Sequence, residues 1–298
     1  MNYHSPVLLK ESVDALNIKE DGVYVDVTFG GGGHSKEILS RLGENGRLFA
    51  FDQDPDAAQN VIDDSRFVLI GENFRFISRF LRFYGIQKVD GILADLGVSS
   101  HQFDEADRGF STRFDADLDM RMDQKSDLSA KKIINKYSEE RLADILFLYG
   151  ELRNARMLAK KIVEARELKP IDTSFQLKEV LKEFLPEAKE HKILAQIFQA
   201  VRIEVNQELE VLKELLEQMP GLLNEQGRLS IISYHSLEDR LVKRFIRTGL
   251  FVGEPEKDFY GNFTVPLKKI GKLIIPSREE IKVNNRARSA KLRIATLK

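Results

Sequence analysis

Four glycines at the junction of a predicted strand and a predicted helix are the first feature of this sequence that could do chemistry. Residues 30–33 are all glycine; they follow the apolar run 23–27 and precede an amphipathic segment. Glycine lets the backbone approach a ligand because no Cβ intervenes, and N–H groups at a helix start can donate to that ligand. Such turns also occur simply to make tight connections, so the glycines alone do not establish a nucleotide site.

An acidic residue at the end of the next predicted strand makes an adenosine-containing cofactor the leading interpretation. Asp52 lies 19 residues after Gly33, near the ~20-residue spacing at which a carboxylate accepts hydrogen bonds from ribose hydroxyls. A dinucleotide fingerprint would have a further glycine where this chain has Ser35. S-adenosylmethionine has no pyrophosphate and needs only the glycine clearance and the acid, so it fits better than NAD.

Two further strand ends carry side chains of catalytic type. Asp95 follows the predicted strand 89–94, and Tyr234 and His235 follow the predicted strand 227–233. Ligands of open α/β sheets bind beyond the carboxyl ends of strands, so we expect these side chains to face the same crevice as the glycine turn. Asp95 and, as second choice, His235 are the predicted catalytic residues, although an acid or a histidine there can also simply cap the next helix.

The elements that must position these residues alternate as in a parallel sheet covered by helices. Strands are predicted at residues 23–27, 47–51, 67–70, 89–94, 227–233, 273–275 and 290–297. Helices are predicted at residues 35–42, 55–62, 73–83 and 237–246, and a Leu/Lys/Glu/Ala-rich block fills the gap after residue 127. We therefore predict an α/β, doubly wound sheet formed by residues 1–104 and 216–298, interrupted by an all-helical insertion at 105–215.

Composition excludes several kinds of chemistry. The chain has no cysteine, which rules out disulfides, thiolate metal sites and a cysteine nucleophile, and we predict no metal. No apolar run approaches the ~18 residues of a membrane span, and the first residues lack a basic and apolar leader. We therefore expect a soluble, cytoplasmic protein with no membrane partner.

The charge is divided unevenly along the chain. Residues 265–298 carry ten Lys/Arg against two Asp/Glu, a net charge of +8, whereas the remainder has a net charge of −9. A basic tail can bind phosphates, but it can also be a solvated end that keeps the protein soluble. For phosphate binding the predicted contacts are Arg286, Arg288, Lys291 and Arg293.

Longer motifs then resemble a known family. DLGVSSHQFD at 95–104, RGFS at 108–111 and LDMRMD at 118–123 closely resemble the signature of the ribosomal RNA small subunit methyltransferase H family, of MraW type. The resemblance spans nearly the whole chain and includes residues 4–9, 28–35, 198–206, 233–240 and 284–293. These enzymes methylate N4 of a cytosine in bacterial 16S ribosomal RNA with S-adenosyl-L-methionine. The resemblance therefore implies a Rossmann-like class I methyltransferase sheet and a substrate-recognition role for the helical insertion.

The resemblance also implies the site residues and the partner. The implied cofactor contacts are Gly32, Gly33, His34, Asp52, Phe74, Asp95 and Gln102. A cytosine in folded RNA must be unstacked to react, so an aromatic slot is expected, for which Tyr234 and Phe110 are the candidates. The implied partner is 16S rRNA within the small ribosomal subunit or its precursor, bound by a monomer or a homodimer.

Two other functional classes compete with a methyltransferase. A nicotinamide-dependent oxidoreductase would share the glycine turn and Asp52, and a non-catalytic RNA-binding module would explain only the basic tail. The methyltransferase accounts for the turn, the acid, the interrupted sheet and the tail together. The missing thiol further favours an N-methylated product, because methylation of cytosine at C5 by the usual route needs a cysteine that adds to the ring.

Overall fold

The chain divides into two compact units. The computed structural model describes residues 6–256, 258–260 and 263–298, so His4 and Ser5 of the N-terminal motif lie outside the described residues. One unit comprises Met1–Gly97 and Leu209–Lys298, and the other comprises Val98–Glu208. The predicted boundaries, 105 and 215, come later than these. The difference arises because Val98 and Phe103 already pack on the core of the helical unit, while Leu212 packs with the sheet.

Within the described residues, one mixed sheet of seven strands forms the first unit. The strands are β1 (Val23–Asp26), β2 (Arg47–Phe51), β3 (Phe67–Ile70), β4 (Val89–Asp95), β5 (Leu223–Ser233), β6 (Leu267–Ile274) and β7 (Lys291–Leu297). Their order is β3-β2-β1-β4-β5-β7-β6, with β1 to β5 parallel and β7 antiparallel to both of its neighbours. The order reverses between β1 and β4, and ligands of such sheets bind at that switch point.

The helices flank the strands in the first unit and make up the second unit. In chain order they are α1 (Leu9–Asp14), α2 (Gly33–Arg41), α3 (Ile77–Phe83), α4 (Ser100–Asp104), α5 (Ala130–Lys136), α6 (Glu139–Leu148), α7 (Ala155–Leu168), α8 (Ser174–Val180), α9 (Glu190–Asn206), α10 (Glu208–Leu222), α11 (Ser236–Thr248) and α12 (Arg278–Val283). Short 3₁₀ turns occupy Pro55–Asn60, Phe74–Phe76, Ala106–Arg108, Lys182–Phe184, Glu187–Lys189 and Asn285–Ser289.

Both faces of the sheet are buried, which confirms the doubly wound α/β fold. Neighbouring residues of β1 point to opposite faces, and accordingly Tyr24 and Val25 belong to two different apolar clusters. One cluster contains residues of α3, α10 and α11, and the other contains residues of α1 and α2. The helical unit has a separate core. In the described part of the chain, no helix combines the length and the apolar character that crossing a membrane requires.

Two predicted elements differ most from the structure. Residues 55–62 form a 3₁₀ turn over Pro55–Asn60, in which only Ala57 is buried, so little apolar surface is available to stabilise a longer helix. The strand predicted at 273–275 is β6, which begins at Leu267. Its lysines hid it from an apolar pattern, because an edge strand exposes one side and often carries charges there.

Candidate functional site

The site is built from the carboxyl ends of four neighbouring parallel strands. The glycine turn follows β1, Asp52 follows β2, Asp95 ends β4 and Tyr234 follows β5. Parallel strands place these ends on one edge of the sheet, and β1 and β4 flank the switch point. The predicted gathering of these residues at one crevice is therefore what the topology produces.

The glycine turn owes part of its composition to the protein's own packing. Gly30 and Gly32 have φ angles of 51° and 74°, in the left-handed region that glycine adopts without strain. A Cβ on Gly32 would lie 2.9 Å from Cε2 of Phe29, and a Cβ on Gly33 would overlap the ring of Pro6. The sequence analysis explained all four glycines by the need for space beside a ligand. At Gly33, however, the group that leaves no space for a Cβ is the ring of Pro6.

Asp26 holds the glycine turn in place through hydrogen bonds, and it was not among the site residues predicted from the sequence. Its carboxylate is fully buried and accepts hydrogen bonds from Ser35 Oγ at 2.7 Å and from the N–H of Thr28 at 3.1 Å. Burial raises the pKa of Asp26 to about 6, against the effect of these hydrogen bonds. The signal was an acid within the apolar run 23–27, where a charge is costly unless it is hydrogen-bonded.

Asp52 is held in place but keeps capacity to bind a ligand. One carboxylate oxygen accepts from the N–H of Gly30 at 2.8 Å and the other from the N–H of Asp54 at 2.9 Å. Burial is the largest influence on this group and raises the pKa of Asp52 to about 6. Each oxygen of a carboxylate can accept two hydrogen bonds, so each has one lone pair left for a hydroxyl donor. Asn60 closes the turn by donating to the carbonyl of Gly30 at 3.0 Å.

Asp95 contacts polar groups on three other segments. The hydroxyl of Tyr234 donates to Asp95 Oδ1 at 2.7 Å, and His34 Nδ1 lies 3.9 Å from Oδ2. The N–H of Asp95 donates to Thr28 Oγ1 at 2.6 Å, which ties β4 to the turn after β1. Burial raises the pKa of Asp95 to about 6, although His34 and the Tyr234 hydrogen bond act in the opposite direction. Burial raises the pKa of Tyr234 well above its usual range, so that the phenol remains a donor.

His235, the second predicted catalytic residue, caps a helix. Its Nδ1 accepts from the N–H of Glu238 at 3.4 Å, and Glu238 returns the contact by accepting from the N–H groups of Tyr234 at 2.9 Å and His235 at 3.3 Å. The His235 side chain is 8% exposed. This reciprocal cap fixes the start of α11 and the backbone of Tyr234. The capping alternative therefore describes His235, and Asp95 is the stronger catalytic candidate.

The remaining predicted cofactor and slot residues have different surroundings. Phe74 begins the 3₁₀ turn after β3 and packs, half-buried, on the sheet core. Gln102 lies in α4 of the helical unit, where its side chain accepts from the N–H of Ser99 at 3.1 Å. Phe110 also lies in the helical unit and is only 4% exposed, as part of that core. Its burial does not support the prediction that Phe110 offers a face to an extruded base.

The basic tail is partly neutralised by the fold. Arg286 and Arg288 lie in the 3₁₀ turn before β7, the first half-buried and the second exposed. Arg293 donates to Asp239 of α11 at 2.7 Å, and Lys291 donates to the same carboxylate at 3.3 Å. The pairing holds the pKa of Asp239 below its usual range. Lys291 and Arg293 therefore anchor β7 to α11, and phosphate binding by the tail stays a prediction.

The arrangement suits an uncharged nucleophile and a ribose. Asp52 offers acceptor oxygens beside the glycine turn. Asp95 offers a buried acceptor whose direction is fixed by the phenol of Tyr234. Such a carboxylate can align an amine or hydroxyl and take its proton. The glycine turn, the carboxylate of Asp52 and the buried acid Asp95 together fit an adenosine-containing cofactor.

The family model and the relatives compared by sequence carry consistent names. The model of the MraW methylase family matches residues 1–298. A protein of Flavobacterium johnsoniae named ribosomal RNA small subunit methyltransferase H is 70% identical over 295 residues, covering 99% of this chain and 98% of its own. A protein of the same name from Bacteroides fragilis is 56% identical, covering 99% and 98%. Among solved structures, an rRNA methylase from Streptococcus thermophilus has a TM-score of 0.44 and 12% identity, over 100% of this chain and 98% of its own.

Proposed function

This chain belongs to the MraW methylase family, and from that premise we propose that it methylates small-subunit ribosomal RNA with S-adenosylmethionine. The observation that carries the proposal is the match of the family model to residues 1–298 together with relatives at 55–70% identity, each named ribosomal RNA small subunit methyltransferase H. Neither a nicotinamide-dependent oxidoreductase nor a non-catalytic RNA-binding module retains support.

The glycine turn and Asp52 are the proposed cofactor site. S-adenosylmethionine supplies the electrophilic methyl group when it is bound. The lone pairs left on Asp52 accept the two ribose hydroxyls, since the backbone donors of Gly30 and Asp54 fix the direction of the carboxylate. Phe74 contacts the adenine, and the backbone at Gly32 to His34 and the side chains of Asp95 and Gln102 are the remaining cofactor contacts.

The proposed acceptor is the exocyclic N4 of a cytosine in 16S rRNA. An exocyclic amine attacks a methyl group directly, without the thiol that C5 methylation by the usual route requires, and the chain has no cysteine. Asp95 accepts a hydrogen bond from N4 and aligns its lone pair with the methyl group, which is mainly an effect of orientation. The hydrogen bond from Tyr234 to Asp95 Oδ1 at 2.7 Å fixes the direction of the carboxylate, and we assign the acceptor of N4 to the other oxygen, Oδ2.

Two parts of the chain are proposed to bind the RNA: the 3₁₀ turn Asn285–Ser289 of the basic tail, and the helical unit. Arg286 and Arg288 contact phosphates, and Tyr234 borders the slot for the unstacked base. The insertion recognises the rRNA, either in the small ribosomal subunit or in its precursor, in the cytoplasm. The enzyme acts as a monomer or as a homodimer, a choice that light scattering of the purified protein decides.

The test is a methyl-transfer assay with product identification. The purified chain is incubated with methyl-labelled S-adenosylmethionine and small-subunit rRNA from cells that lack the modification, either naked or within subunits, and the digested nucleosides are identified by mass spectrometry. We expect labelled N4-methylcytidine, and we expect Asp95→Asn to lose most of the rate while the exposed-acid control Asp63→Asn retains it. Labelled 5-methylcytidine would refute the N4 assignment, and the absence of transfer to either RNA form would refute the function.

A further inference from the structure

The ring of His34 is fixed between the N-terminal segment and the buried acid of the site. It is 5% exposed; Nε2 lies 3.2 Å from the carbonyl oxygen of Val7, and Nδ1 lies 3.9 Å from Oδ2 of Asp95. A carbonyl oxygen only accepts hydrogen bonds, so Nε2 must carry a hydrogen. The neutral ring then has its lone pair on Nδ1, the atom that faces Asp95.

Two acceptors therefore face each other across the site. A lone pair on Nδ1 and an ionised Oδ2 repel, whereas one proton on either atom turns the repulsion into attraction. The other groups that act on Asp95 do not supply this proton. Tyr234 donates to the opposite oxygen, Oδ1, and the two further acids that influence Asp95, Asp26 and Glu238, both favour its protonation.

We propose that Asp95 and His34 form a proton-accepting pair that takes up the proton released by the amine during methyl transfer. This inference rests on the proposed function. The lone pair of N4 forms the new bond to the methyl carbon, and the methyl–sulfur bond breaks with its electron pair left on sulfur. N4 then carries a positive charge and loses one proton to Oδ2 of Asp95. The protonated acid donates to Nδ1 of His34 as the two groups close, and the proton passes to water when the product leaves.

His34 acts through Asp95 and is therefore a positioning residue. Its Nδ1 shares the proton that Asp95 takes up, and its hydrogen bond to Val7 holds the tautomer in which Nδ1 is an acceptor. The ring is directed at Val7 and Asp95, so the cofactor contact implied for His34 is made by its backbone at the start of α2. A substitution that preserves the backbone and the Val7 hydrogen bond therefore separates proton uptake from cofactor binding.

His34→Gln is that substitution, because the glutamine amide nitrogen occupies the place of Nε2 and nothing replaces Nδ1. We expect S-adenosylmethionine affinity, measured by calorimetry, within about twofold of the wild type and kcat lower by roughly 100-fold, at the lower end of acid–base effects. His191→Gln, at an exposed histidine, is the matched control.

The outcomes separate this inference from the function on which it rests. A wild-type enzyme that transfers methyl groups, with His34→Gln unchanged in kcat, would overturn the pair alone. A loss of rate matched by an equal loss of cofactor affinity would also overturn it. A wild-type chain that transfers no methyl group would overturn both proposals.

A second variant and a direct measurement cover the case of misfolding. His34→Asn retains a polar amide near Asp95 but cannot bind a proton, so it should lose activity as His34→Gln does; a wild-type rate would show that polarity alone suffices. In the wild type, ¹⁵N resonances of labelled histidine report the tautomer directly. We expect the Nε2–H form at alkaline pH, and the Nδ1–H form would overturn the proposal.

Discussion

Asp52 is the residue whose removal tests the cofactor site most directly. Asp52→Ala removes the acceptor of both ribose hydroxyls and should weaken S-adenosylmethionine binding by about 1.5 to 3 kcal/mol, the range for hydrogen bonds to charged groups. Calorimetry measures the change. Asp63→Ala removes an exposed acid from the loop before β3 and should leave affinity unchanged. Equal affinities of Asp52→Ala and the wild type would exclude Asp52 from the ribose site.

Tyr234 controls the pH at which Asp95 is an acceptor. The carboxyl must be ionised to accept from N4, so kcat should rise with pH through the pKa of Asp95, about 6. Tyr234→Phe removes the donor that favours the ionised form, which raises that pKa. The midpoint of the acidic limb should therefore move upward by about one pH unit, as one unit corresponds to about 1.4 kcal/mol.

The kcat–pH profile of Tyr234→Phe has a matched control in Tyr84→Phe, which alters a tyrosine that is 40% exposed at the end of α3. The control should keep the wild-type midpoint. A midpoint in Tyr234→Phe that stays in place or moves to lower pH would show that this hydrogen bond does not govern the ionisation of Asp95.

At the level of elements, the N-terminal segment packs directly against the glycine turn, with the ring of Pro6 beside Gly33. Gly33→Ala brings a Cβ into the ring of Pro6 and should lower the free energy of unfolding by about 1 to 3 kcal/mol, the usual cost of overpacking. Urea unfolding measures it. Gly71→Ala is the control, because a Cβ there would meet nothing within 4 Å.

A second substitution, Pro6→Gly, should cancel the destabilisation caused by Gly33→Ala. Pro6→Gly removes the ring, so the double variant with Gly33→Ala should be destabilised no more than Pro6→Gly alone. If the effects of the two single substitutions simply added, the clash with Pro6 would not be the cause.

At the level of the whole molecule, charge is separated between an acidic body and a basic tail. Phosphate contacts release counterions, and each contributes about −0.7 to the slope of log K against log salt for single-stranded RNA. Arg286→Ala with Arg288→Ala should therefore flatten the slope for rRNA by about 1.4 and leave S-adenosylmethionine affinity unchanged. Filter binding across a salt series measures the slope.

The control for this pair removes the same charge elsewhere. Arg47→Ala with Lys88→Ala alters exposed cations at the amino ends of β2 and β4, on the edge of the sheet opposite the site. That variant should keep the wild-type salt slope. If the two double variants gave the same slope, the turn at Arg286 would have no part in binding the RNA.

The sequence by itself determined the fold class, the strand ends that carry the site, and the family. These follow from local patterns: each strand-to-helix unit reads as an apolar run, a turn and an amphipathic segment. Because the strands are parallel, Asp52 and Asp95 fall on one edge of the sheet wherever the helices lie. The glycine turn could be located in the same way, although the reason for Gly33 could not.

Only the tertiary structure decided which side chains meet at the site. Tyr234 and Asp95 are 139 residues apart in the chain, and their hydrogen bond depends on β4 and β5 pairing. The tautomer of His34 depends on a carbonyl of the N-terminal segment, 27 residues away. Phe110 is buried and Arg293 is paired for the same reason. Hydrophobic periodicity predicts which face of a helix or strand is buried. The partner of each side chain, however, is set by the packing of segments that are distant in sequence.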